Sequence, residues 1–297
     1  MDGVLAVHKP RGMTSHDVVW KLRRILGTKK IGHTGTLDPD VDGVLVVCIG
    51  RATKLVQFME HAHKVYHAEA VLGVATTTED LSGEVVEMLP VPVGCFDEAM
   101  VQQVLADFVG VSKQVPPMYS AVKVNGRKLY EYARNGVEVE RPERSIEIFS
   151  LVYNADSLKF ADERGYFEFD IESAKGLYVR TLCVDIGAKL GFPAAMADLQ
   201  RTASGQFTLD DCVTLEQIEA GDYVLTAMAD IDLGLPEFIV DELLAERIGV
   251  GSVFTVDELI DAPNEPFAVL NEHRQLLAVY QPHPEKPGKF KPVRVFS

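Results

Sequence analysis

Cysteine is scarce in this 297-residue sequence, and its four copies, Cys48, Cys95, Cys183 and Cys212, form no CxxC pair. That excludes a zinc ribbon and a disulfide framework and leaves buried, reduced thiols as the expectation. Long apolar runs are missing too: no stretch approaches the ~18 uninterrupted apolar residues of a membrane helix. The opening segment, MDGVLAVHKPRGMTS, carries no basic leader or cleavage-like site, so a soluble, cytoplasmic protein is expected. Positive charge is in short supply, with 29 Lys and Arg against 44 Asp and Glu and a net charge of −15. Taken as a sum, this counts against a nucleic-acid partner, because phosphate binding is largely electrostatic.

What is present changes that reading. At 47% hydrophobic and 25% charged residues, the chain can bury a substantial core and bears no signature of disorder. Its length suits one catalytic domain of about 200 residues or more with a smaller one appended. The acidity is segregated: residues 1–64 are net +4, residues 65–204 net −8, residues 205–272 net −15, and residues 273–297 net +4. A local basic patch is enough to hold a phosphate backbone.

Periodicity gives a coarse map. Residues 3–8 read as a strand ended by the turn-rich Lys9, Pro10, Arg11 and Gly12. A helix follows, capped by Thr14 or Ser15, with Val18, Val19, Leu22, Ile25 and Leu26 on one face and Gly27 as its stop. Its outward side places Lys21, Arg23 and Arg24 next to Lys29 and Lys30, a cluster of five cations for which a solvated helix face is the plain alternative. Residues 43–49 read as an apolar strand, 53–59 as the start of a helix, and 65–72 with 84–88 as a hairpin around a polar turn. A helix over 96–109, strands over 145–152 and 166–173, and a helix over 178–190 come next. Beyond Pro236 the composition shifts to short, mostly β elements, placing a second domain of about 60 residues there.

The segment most suggestive of a site is Ile31 to Gly43, IGHTGTLDPDVDG, in which three glycines, a histidine, two threonines and three aspartates crowd between a helix and an apolar strand. Glycine lets backbone approach a ligand, and Pro39 stiffens the backbone at Asp38. A turn-building aspartate is the alternative. Three decoys fail on chemistry. GTKKIGHT, residues 27–34, nearly spells a phosphate loop but has His33 in place of its lysine and follows a helix instead of a strand. His61, His63 and His67 lack the spacing and companion ligands of a metal site. Thr14 to Asp17 contains triad residue types, but adjacency in sequence is not triad geometry. Tyr66 and Arg180, far from Asp38 in sequence, carry complementary chemistry: an arginine keeps a carboxylate ionised, and a tyrosine stacks on a base or exchanges a proton.

At these residues the chain resembles the bacterial tRNA pseudouridine-55 synthase family. KPRGMTS (9–15), GHTGTLDP (32–39), KVYHAEAVLG (64–73), PPMYSAVKVNGRKLYEYAR (116–134) and KGLYVRTL (175–182) occur in the family's order. The resemblance implies an α+β pseudouridine synthase fold, a mixed, mainly antiparallel central sheet flanked by helices, over residues 1–235. Residues 237–297 more weakly resemble the small β-barrel PUA module. It further implies Asp38 as the catalytic nucleophile, Tyr66 as the ring stacking on the target base and Arg180 as the partner of Asp38. His33 would fill the space left by flipped nucleotides, and Lys9, Asp80, Tyr178 and Leu199 would line the pocket. The implied substrate is the T-loop of tRNA, with the acceptor arm meeting Lys286, Lys289, Lys291 and Arg294; no metal or redox cofactor is needed, and a monomer is expected. Departures from the family pattern are His8, Thr77, Asp42 before Gly43, and Gln200 in place of the first arginine of an LRR. A non-catalytic RNA chaperone and a metal-independent nucleoside hydrolase are the alternatives.

Overall fold

The first apolar run forms strand β1 (Gly3–Lys9), followed by helix α1 (Ser15–Ile25), the short strand β2 (Ile31–His33) and strand β3 (Asp42–Ile49), in a computed structural model that describes residues 1–296. β1 lies beside β3, and β2 pairs antiparallel with the far end of β3, His33 opposite Val47. Both faces of β1 and β3 are buried, which explains their continuous apolar runs. Val4, Ala6, Val44, Val46 and Cys48 share one core with Leu55, Phe207, Ile231, Val279 and Phe296. Leu5, Val7, Leu45, Val47 and Ile49 face Val18, Val19 and Leu22 of α1 together with Leu215 and Ile218. Each such Val or Leu contributes roughly 1.5–3 kcal/mol by leaving water.

Thr14, not Ser15, caps α1. Its hydroxyl accepts from Asp17 N at 3.0 Å, and the Asp17 carboxylate accepts from Thr14 N at 2.9 Å, a reciprocal box that satisfies orphan donors of the first turn. The Thr14 hydroxyl, 2.6 Å from Asp17 Oδ2, and then the Thr14 N–H hold the Asp17 carboxyl below its usual range. The expected helix over 53–59 is half 3₁₀: a 3₁₀ segment (Gly50–Leu55) runs into α2 (Val56–Met59).

The chain continues through β4 (Lys64–Leu72), the hairpin of β5 (Val74–Thr76) and β6 (Val85–Met88), α3 (Glu98–Ala106) and β7 (Gly110–Gln114). A small hairpin, β8 (Lys123–Val124) and β9 (Arg127–Lys128), leads into α4 (Leu129–Arg134). Then come β10 (Arg144–Tyr153), β11 (Lys159–Ala161), β12 (Arg164–Ser173), α5 (Val179–Leu190) and β13 (Ala194–Ser204). The strands lie in the order β13-β4-β12-β10-β7, and every pair along that path is antiparallel. β12 alternates faithfully: Phe167, Phe169 and Ile171 are fully buried while Tyr166, Glu168 and Asp170 lie half-buried on the opposite face, Tyr166 against Val71, Val74 and Ala195. The first residues of β3 join β13 in parallel, Asp42 opposite Gln200 and Gly43 opposite Arg201, which makes the sheet mixed. Gly43 has φ +112° and a Cβ there would collide with the Arg201 backbone, so only glycine fits.

Beyond β13 lie β14 (Phe207–Thr208), α6 (Leu215–Ala220), β15 (Glu237–Val240), α7 (Glu242–Gly249), β16 (Phe254–Thr255), β17 (Phe267–Asn271), β18 (Leu276–Pro282) and β19 (Lys289–Val295). The last five strands form a separate curled sheet, β15-β17-β18-β19-β16. It surrounds an aromatic core in which Phe267 contacts Phe238, Tyr280 and Phe290 with ring centroids 5.5–6.3 Å apart. Tyr280 is buried yet satisfied, donating to Ser252 O at 2.8 Å, and burial pushes its phenol up to about 12. Two compact units result: Met1–Asp40, Val44–Glu60 and the chain from Gly205 onward form one, and Val41–Gly43 with His61–Ser204 the other. No helix among the described residues is long and apolar enough to cross a membrane. Cys48 and Cys183 are buried free thiols as expected, whereas Cys95 is exposed and Cys212 only partly covered.

Candidate active site

The first unit supplies the Asp38 loop. After β2 the chain turns, Thr34 N donating to Val46 O at 3.1 Å, and the loop is then held on both sides of Asp38. On the N-terminal side, the buried hydroxyl of Ser15 accepts from Leu37 N at 2.8 Å and donates to Leu37 O at 3.2 Å. One side chain thereby satisfies both backbone groups of a buried residue, as a neighbouring strand would. On the C-terminal side, Pro39 O accepts from Gly12 N at 2.9 Å and from the Lys9 ammonium at 3.0 Å. Lys9 is completely buried and also donates to Pro10 O at 3.0 Å. A buried ammonium is costly unless hydrogen-bonded, and these carbonyls supply bonds to it. The KPRGMTS segment is thus the scaffold of the loop: Lys9 and Gly12 fix Pro39, Ser15 fixes Leu37, and Asp38 sits between the clamps, half-buried. His33, at the end of β2, is half-buried as well.

The second unit carries Tyr66, Asp80, Tyr178, Arg180 and Leu199. Tyr66 lies on β4 opposite Arg201 of β13 and Ile171 of β12, and Leu199 lies opposite Ala68, two residues along. Opposed residues share a sheet face, so Tyr66 and Leu199 belong to the same one. Arg180, in the first turn of α5, is 6% exposed. Its two terminal nitrogens donate to Thr78 O at 2.8 Å and Tyr119 O at 3.0 Å, and its Nε lies 3.9 Å from Asp80 Oδ2. The other oxygen of Asp80 accepts from Ser82 N at 2.9 Å, Ser82 Oγ at 2.5 Å and Thr78 Oγ1 at 2.6 Å. Three donors leave that oxygen no freedom to turn, so the carboxylate presents a fixed edge to the guanidinium. Tyr178, which precedes α5, is gripped through its backbone by the Gln114 amide, N to Oε1 at 2.9 Å and O from Nε2 at 3.1 Å.

Glu79 adds a feature that no sequence signal announced. It adopts φ +64°, and its carboxylate accepts from Thr181 Oγ1 at 2.5 Å. Burial pushes its carboxyl above the usual range, against the opposing pull of the Thr181 bond and of the Arg180 and Arg141 charges. Ser15, Gln114, Thr78 and Tyr119 also escaped sequence reasoning, since Ser15 and Gln114 bond to distant backbone groups and Thr78 and Tyr119 offer their carbonyls to Arg180, contacts that leave no pattern. The histidines of residues 61–67 take up surface pairings: His67 Nδ1 lies 2.9 Å from Asp170 Oδ1, and His63 lies 3.3 Å from Glu172 and stacks on Phe149.

A family model for TruB family pseudouridylate synthase (N terminal domain) matches residues 23–179, and one for the tRNA pseudouridylate synthase B C-terminal domain matches residues 180–239. The chain belongs to the TruB family of pseudouridylate synthases. It is 51% identical to tRNA pseudouridine synthase B of Bacillus cereus over 99% of this chain and 97% of that one. The protein of the same name from Halalkalibacterium halodurans is 50% identical over 100% and 98%. In the crystal structure of a Cbf5-Nop10-Gar1 complex, one chain superimposes with a TM-score of 0.72 at 26% identity, covering 99% of this chain and 85% of that chain. Two departures from the TruB pattern meet each other in this structure: Gln200 Nε2 donates to Asp42 Oδ2 at 2.9 Å, a hydrogen bond from an uncharged amide to the Asp42 carboxylate.

Proposed function

We propose that the protein isomerises uridine 55 in the T-loop of tRNA to pseudouridine, with Asp38 as the essential carboxylate. The observation that carries this reading is the double clamp on the Asp38 loop, at Leu37 and at Pro39. It presents one half-buried carboxylate in a fixed place, and the chemistry needs little more. The target nucleotide leaves the stacked loop at a cost of about a few kcal/mol, offset by stacking on Tyr66, while His33 fills the vacated space. Asp38 assists cleavage of the N-glycosidic bond, and the detached uracil turns in the pocket and rejoins the ribose through carbon 5. The proton on carbon 5 departs and nitrogen 1 gains one, so atoms balance without a metal or redox partner. Arg180 serves as the guanidinium that keeps the Asp38 carboxylate ionised, Asp80 orients Arg180, and Lys9, Tyr178 and Leu199 shape the pocket.

Residues 1–235 form the catalytic part in this reading. The curled sheet of residues 237–297 is the PUA-like RNA-binding part, in which Lys286, Lys289, Lys291 and Arg294 meet the acceptor arm. Tritium release from tRNA labelled at carbon 5 of uridine is the test. Release by the wild type, absent with Asp38→Asn and with a transcript lacking the T-loop uridine, is the expected result. Binding of tRNA without release would hand the site to an RNA chaperone, and free uracil would mark a hydrolase.

A further inference from the structure

The outward face of α1 takes no part in the site described above. Trp20, the single tryptophan of the chain, is 54% exposed there. The Arg24 guanidinium stacks over its ring, 5.0 Å from the centroid. Lys29 and Lys30 follow the helix and are exposed. Arg23 is turned away, donating to Ile31 O at 3.1 Å, and Lys21 feels the charge of Glu216. Among the described residues, Arg24, Lys29 and Lys30 have no ion-pair partner. In a chain with 44 acids against 29 cations, an uncompensated cationic cluster around an exposed ring is the complement of a polyanion. Its position is informative as well. Ser15, the first residue of α1, holds the Asp38 loop, and Arg24 stands nine residues further along the same helix, about 14 Å down its axis.

We propose that Trp20, Arg24, Lys29 and Lys30 form a second RNA contact, which takes the phosphate backbone of the duplex stem adjoining the target loop. This rests on the tRNA reading above. RNA whose target uridine enters at Asp38 runs its stem along α1; Lys29 and Lys30 neutralise phosphates, and the Arg24–Trp20 stack packs against the ribose edge.

Trp20 is its own probe. A T-arm hairpin with its full stem, added at saturation, is expected to shield Trp20 from acrylamide quenching, and a hairpin trimmed to its loop-closing pairs is expected not to. Replacing Lys29 and Lys30 by glutamine removes two phosphate contacts, so the salt slope of tRNA binding flattens by about 1.8, equivalent to about 12-fold less affinity lost between 50 and 200 mM salt. Unchanged quenching of Trp20 with tRNA bound, equal shielding by the trimmed hairpin, or an unaltered salt slope each overturns the proposal. Tritium release by the wild type separates the two readings. Release without shielding sinks only this contact, whereas no release and no binding sinks the tRNA reading with it.

Discussion

Replacing Ser15 by alanine tests whether the clamp on the Asp38 loop is what makes the site. The substitution leaves the buried N–H and C=O of Leu37 without the bonds of 2.8 and 3.2 Å that they now make. A buried backbone group left unpaired costs about 1–3 kcal/mol, so the loss is roughly 2–4 kcal/mol, with the loop relaxing to recover part of it. Relaxation moves Asp38, and a displacement of ~1 Å at a reacting group costs on the order of 100-fold in rate. Thr14→Ala is the matched control: it removes the cap of the same helix at a cost of about 1 kcal/mol but touches neither Leu37 nor Pro39. Single-turnover tritium release with saturating enzyme, together with thermal unfolding, reads both quantities. Ser15→Ala should lower the rate by about 10- to 100-fold, while Thr14→Ala should lower Tm with a near wild-type rate. Equal rate losses in the two variants would show that α1 stability alone matters and would refute the clamp.

Arg180→Lys should lose about 100-fold in turnover, because one ammonium cannot reproduce the fork that meets Thr78 O, Tyr119 O and the Asp80 edge; a wild-type rate in the tritium assay contradicts this. Gly43→Ala should cost at least about 2 kcal/mol, since φ +112° and the Arg201 backbone leave no room for a Cβ; an unchanged urea midpoint refutes it. Glu79 predicts a pH effect with a definite sign. Burial raises its carboxyl above 4.5, so the folded state binds the proton more tightly than the unfolded one, and stability falls as pH rises from 4.5 through the folded value. Glu79→Gln should therefore raise Tm near neutral pH, with the difference closing below about pH 4.5; a pH-independent difference would remove Glu79 from the account.

Sequence patterns exposed much of this fold where burial imposes a period. The alternation of β12 and the apolar runs of β1 and β3 were legible because each side chain sits on a face with a fixed partner. β13 was not legible: AAMADLQRTAS is rich in alanine and poor in β-branched residues, and it is a strand because β4 pairs along its length. α7 lies in a stretch whose sequence reads as short β elements. Within the site, Asp38 stood out through its glycines and proline. Ser15 did not, because a serine at a helix start suggests a cap, and the true cap is one residue earlier. The Arg180 contacts join segments 61 and 102 residues away, beyond the reach of any local pattern.

The core that joins Val4 and Val46 to Val279 and Phe296, with the Lys54 ammonium on Val295 O at 3.0 Å, has a consequence in time. At about 5–20 residues per second, a ribosome takes roughly 15–60 s to pass from Val4 to Phe296. Throughout that interval one face of β1 and β3, the strands flanking the Asp38 loop, lacks the side chains that finally cover it. The face toward α1 can begin to close early and is completed by Leu215 and Ile218, but this one closes only after Val279 and Phe296 have been made. A prematurely ended product would display that bare face, offering chaperones and proteases a direct way to tell it from the finished enzyme.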